Sequence, residues 1–114
     1  MGARVKPVAT VTGECTAKIA DTNGQTMSVL VSGTAQTQGA AASTGISCTI
    51  LQDPDLDLIF DAGVGGCRGA LPLNVGACAA IVRGVPLAPF RVCAVATGHL
   101  ISGDVVTGKG ASCP

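Results

Sequence analysis

The chain has 114 residues with seven basic and seven acidic side chains, so its formal charge is zero and it lacks the basic footprint that nucleic acid or an anionic membrane surface would require. Charged residues make up 12% and aromatics 2%, with no Trp or Tyr. That leaves too little charge to keep a disordered chain solvated, and no platforms on which sugars stack. No apolar run approaches the roughly 18 residues that cross a bilayer, and the start lacks the blocks of a signal peptide, so no membrane span is expected and the chain reads as the mature part of an exported protein.

Sixteen glycines and six prolines punctuate short β-branched blocks, which argues against helices and for a single all-β domain over residues 1–114, with 1–7 as an extended arm. Strands are predicted at 8–11, 14–20, 26–34, 45–51, 56–60, 77–85, 90–97 and 99–107. Seven or eight short antiparallel strands at this spacing suit a disulfide-stabilised, immunoglobulin-like β-sandwich. Between the second and third, a three-residue loop, Thr22 to Gly24, pairs Ile19 with Met27, Ala17 with Val29 and Cys15 with Val31. This sets the apolar side chains on one face and Gly24 at positive φ. Residues 35–44, small and polar, read as an exposed hairpin tip.

Six cysteines at 15, 48, 67, 78, 93 and 113 are spread along the chain rather than clustered as metal or redox motifs are, and they imply an oxidising, secreted or cell-surface setting. Fifteen pairings exist. Cys93 and Cys113 are equidistant from Gly103 in the turn Ser102-Gly103-Asp104, which a regular hairpin would set opposite one another; Cys67 and Cys78 are centred on Pro72-Leu73. Cys15 is then left with Cys48. In a three-strand meander those two would lie about 9.6 Å apart, too far for a bridge, so the bond is expected to cross between sheets.

The acidic run Asp53-Pro54-Asp55-Leu56-Asp57, with Asp61 after it, offers oxygens to calcium through Asp53, Asp55 and Asp57, but lacks the central glycine and distal glutamate of a calcium loop. A charged strand edge is the simpler account. His99, the sole histidine, has Asp104 nearby but no G-x-S-x-G elbow. No complete nucleophile, metal or paired-acid set is present, so neither enzyme activity nor a cofactor is expected. Arg68, beside Cys67 in a glycine-rich segment, is a candidate binding residue of the kind that rigid inhibitor loops present to proteases.

The expected function is a non-enzymatic extracellular or cell-surface structural protein that associates with itself or another protein. Low charge and positive mean hydropathy leave little repulsion between copies. The β edges expected to carry assembly are Val5, Val8 and Val11 at the N-terminus and Ala79, Ile81 and Val85 further on. The alternatives are a secreted binding module, either a small-molecule carrier or a protease inhibitor, and an accessory structural protein of a viral particle.

Overall fold

Alternation of small apolar and hydroxyl side chains is converted into two facing sheets. The computed structural model describes residues 9–53, 56, 59–60, 62–110 and 113. Seven antiparallel strands follow in chain order: β1 (Thr10–Thr22), β2 (Thr26–Gln38), β3 (Ala41–Gln52), β4 (Ala62–Pro72), β5 (Val75–Pro86), β6 (Phe90–Leu100) and β7 (Val105–Lys109). One sheet has the order β1-β2-β5 and the other β4-β3-β6-β7, and no helix occurs among the described residues. The architecture is therefore an all-β sandwich with three disulfides.

Period-two burial defines the core. On β2, Met27, Val29, Val31 and Ala35 point inward, and on β3, Ile46, Cys48 and Ile50 meet them, with Val11, Val85, Ala94 and Ala96 closing the layer. Phe90 packs against this cluster from a half-buried position. Where no large aromatic is available, glycine lets the sheets approach: a Cβ on Gly13 would lie 2.7 Å from Ile46 Cδ1 and 2.9 Å from the Ala96 methyl.

Several expectations are corrected. Residues 35–44 are no exposed tip: β2 runs on to Gln38 and β3 begins at Ala41, with Ala35, Thr37, Ala41 and Thr44 all buried. Thr37 and Thr44 tolerate burial because their hydroxyls are 2.7 Å apart and Thr44 Oγ1 also donates to the Leu73 carbonyl at 2.8 Å. The β1–β2 pairing is Ile19 with Val29, Ala17 with Val31 and Cys15 with Gly33, two residues from the predicted register. A bulge at Ala20 and a longer turn account for the shift, which preserves the faces because the period is two. In that turn Asn23 Oδ1 accepts hydrogen bonds from the Thr26 amide and hydroxyl, both at 2.9 Å, while Gly24 adopts φ +92°.

The strand expected at 56–60 is absent at Leu56, Ile59 and Phe60, and β4 forms instead from the glycine-rich stretch that follows. Its glycines are what admit it to the sheet, since a Cβ at Gly66 would collide with the Cys48 carbonyl. The last predicted strand, 99–107, is divided: His99 and Leu100 end β6, a turn intervenes, and β7 starts at Val105.

Candidate functional site

The three bridges set the frame on which every candidate surface is displayed. Cys15 is bonded to Cys48, Cys67 to Cys78 and Cys93 to Cys113, and no cysteine is free. The first two bridges cross the sandwich side by side. Cys48 and Cys67 are register partners on β3 and β4, whereas Cys15 and Cys78 flank Gly33 on the opposite sheet. The Cys48, Cys67 and Cys78 sulfurs consequently lie within 4.8 Å of one another. Such proximity has the look of a metal centre, but each sulfur is already bonded in a disulfide and offers no thiolate to an ion. Cys113 reaches Cys93 by a different route from the one expected: β6 and β7 pair Val95 with Lys109, two residues off the register that would oppose the two cysteines. Beyond β7 the Cys113 amide instead donates to the Gly110 carbonyl at 3.2 Å.

On the three-stranded sheet, β5 is apolar on both faces from Val75 to Val82, where exposed Arg83 ends the run. Ala80 and Val82 point inward, while Val75, Ala77, Ala79 and Ile81 point to solvent. Ile81, 56% exposed, is the register partner of Leu30, 42% exposed, and the two form an apolar pair at one end of this stripe. Leu73, at the turn before β5, extends the other end; it is exposed and held at φ +71°, a conformation that favours Gly or Asn. Of the residues predicted for assembly, Ala79 and Ile81 lie in this stripe. Val11 and Val85 do not: both point inward and belong to the core. Val5 and Val8 lie outside the described residues. Leu30, Leu73, Val75 and Ala77 were not anticipated, although the unbroken apolar run Ala77 to Val82 was a visible signal of burial on two sides.

The outward face of the four-stranded sheet has another chemistry. Arg68 stands in the middle of β4, opposite Ser47, and not on an extended loop. It borders a shallow depression of about 590 Å³ with Gly45, Ser47, Thr97 and His99. Serine and histidine do meet here, since Ser43 is the register partner of His99. Among the described residues, however, no hydrogen bond joins His99 to Ser43 or to Asp104; the Asp104 carboxylate instead accepts one from Ser102 Oγ at 3.3 Å. Asp53 directly follows β3, and Asp55 and Asp57 lie outside the described residues. Arg91 sits over the Phe60 ring at 4.5 Å and tethers the start of β6 to that acidic connection.

No protein-family model, curated protein or solved structure matches this chain. Among the described residues no helix is long and apolar enough to cross a membrane.

Proposed function

We propose that the protein is a non-enzymatic structural domain of the extracellular space or cell surface, an immunoglobulin-like sandwich that associates with further copies of itself through the outward face of β5. The observation that carries this reading is the two-sided apolar character of Val75 to Val82 on a strand at the edge of its sheet. A soluble sheet ordinarily turns polar side chains to water, and a stripe made of Val75, Ala77, Ala79, Ile81 and Leu30 is the signature of a face that another surface covers.

A second copy fits that face. The stripe has small side chains at its centre and bulky ones at its ends, and a two-fold axis between Ala77 and Ala79 sets the alanines of the two copies together and Ile81 of each over Val75 of the other, a self-complementary arrangement. Zero net charge opposes such pairing very little. Three bridges in so short a chain accord with an oxidising location. The strand order supports the immunoglobulin-like assignment: lettered A to G, the sheets read A-B-E and D-C-F-G, which differs from the constant-type arrangement only in moving the fourth strand to the other sheet.

Sedimentation equilibrium tests the proposal. The protein is expected to self-associate, and Leu30→Lys with Ile81→Lys to shift it to monomer while the disulfides and the thermal midpoint are kept. A wild-type chain that stays monomeric at high concentration overturns the proposal in favour of a monomeric binding module.

A further inference from the structure

β3 contains a single glycine, Gly45, and its surroundings do not require one. Glycine inside a strand weakens it, and elsewhere in this fold close approach accounts for it: at Gly33 and Gly66 a Cβ would overlap a neighbouring atom. A Cβ at Gly45 would meet nothing nearer than the Gly69 carbonyl at 3.5 Å and the Ala70 methyl at 3.6 Å, both ordinary contacts. Nor does Gly45 adopt a positive φ. What its missing side chain does is lower the floor of the depression of about 590 Å³ on the outward face of the four-stranded sheet.

Register centres that depression on Gly45. Its partners are Ala70 on β4 and Thr97 on β6; Arg68 pairs with Ser47 on one side of this row, and His99 with Ser43 on the other. Arg68 and His99 therefore stand at opposite corners, two strand spacings (about 9.6 Å) and four residues (about 13 Å) apart, and both border the hollow. Its polar groups are unused. Among the described residues no ion pair or hydrogen bond engages the Arg68 guanidinium, the His99 imidazole or the Ser47 and Thr97 hydroxyls, and no carboxylate lines the hollow. On the other sheet, by contrast, the outward Thr16 and Ser32 hydroxyls bond one another at 2.9 Å.

These groups select a class of ligand. Arg68 presents a planar, permanently charged fork that pairs with a carboxylate through two parallel hydrogen bonds. Ser47, Thr97 and His99 between them donate and accept, which suits hydroxyls. Ala70, Gly45 and Val95 make a low apolar floor that admits the C–H face of a saturated ring. A simple carboxylate would engage Arg68 alone. A neutral sugar would forgo the ionic contact in a site that has no aromatic ring for it to stack on. We infer that this hollow binds a hexuronic acid unit, its carboxylate on Arg68, its hydroxyls on Ser47, Thr97 and His99, and its ring over Gly45. The site lies on the sheet opposite β5 and is independent of the self-association proposed above. Its open shape and single ionic contact set the affinity for one sugar unit in the millimolar range.

Sodium glucuronate and sodium galacturonate are the probes, titrated separately into Leu30→Lys/Ile81→Lys protein and followed by amide NMR, so that failure of the β5 reading does not affect the result. Expected with at least one of them are saturable shifts centred on Gly45, Ser47, Ala70, Thr97 and His99. Glucose should produce none, and acetate should bind much more weakly. Arg68→Gln should abolish binding. Gly45→Ala should keep the disulfide map and thermal midpoint, because its methyl makes only ordinary contacts, yet weaken binding about tenfold by raising the floor. Where Gly45→Ala fails to fold, Arg68→Gln decides alone. No saturable shift with either uronate, equal binding of glucose or acetate, or unchanged binding by folded Arg68→Gln or Gly45→Ala protein would overturn the inference.

Discussion

Gly33 on β2 lies directly beneath the Cys48 sulfur of the facing sheet. A Cβ built there would overlap that sulfur and come within 3.1 Å of the Cys15 sulfur and 3.0 Å of Ile46 Cγ1. Gly33→Ala should therefore destabilise by about 1–3 kcal/mol, lowering the thermal midpoint by roughly 5–15 °C, because a bridged sulfur cannot swing aside as a free side chain does. Differential scanning calorimetry of the oxidised protein measures the shift.

The buried Thr37–Thr44 pair is asymmetric, and its two members should respond differently. Thr44 donates to the Leu73 carbonyl, which leaves Thr37 to donate to Thr44. Thr44→Val orphans both the Thr37 hydroxyl and the Leu73 carbonyl and should cost about 1–3 kcal/mol; Thr37→Val leaves the second bond intact and should cost less. Urea unfolding of the two variants gives the order.

Cys15→Ala should yield a mixture of disulfide isomers rather than a single missing bridge. Its freed partner Cys48 lies 3.9 Å from the Cys78 sulfur. The Cys48 thiolate can attack that sulfur, forming Cys48–Cys78 and expelling Cys67 as thiolate, with no oxidant consumed. Non-reducing peptide mapping should find both isomers, whereas Cys15→Ala/Cys48→Ala should retain Cys67–Cys78 alone on that side. The double variant should lose about 3–4 kcal/mol, the loop-closure value for a 33-residue separation.

Leu73→Asn should stabilise the monomer by about 1 kcal/mol, since Asn tolerates the left-handed backbone that Leu occupies at φ +71°. The same substitution removes one end of the apolar stripe and should weaken self-association. A raised thermal midpoint with reduced sedimentation-equilibrium mass is the expected pair of results.

The strands whose side chains alternate were legible from sequence, because period two survives register errors: β1 and β2 keep their faces although their pairing is shifted by two. Cross-sheet bonding of Cys15 with Cys48 was legible because in-sheet distance forbade the alternative. β4 was not, since Gly63, Gly65, Gly66 and Gly69 read locally as a loop and become a strand only by close approach to β3 and β5. The Cys93–Cys113 pair was reached from a hairpin register that the molecule does not use. At the surface, Ala79 and Ile81 were found through their edge position, while Val85 was mistaken for a neighbour of theirs. A second bulge, between Met27 and Val29, alters the pairing before that point, and Val85 turns inward.

The placement of the bridges also governs how the domain carries tension. A pull applied at the two ends passes from Cys15 straight to Cys48 and, at the other end, from Cys113 straight to Cys93. β1 from Cys15 onward, β2 and the first half of β3 are enclosed by one shunt, and the rest of β6 with β7 by the other. Between the first and last cysteine, only the chain from Cys48 to Cys93 can lengthen, and the Cys67–Cys78 bond shortens even that. Linked in series, such domains would yield under load through these unshunted segments and through the contacts from one copy to the next, while the bridged parts stay short.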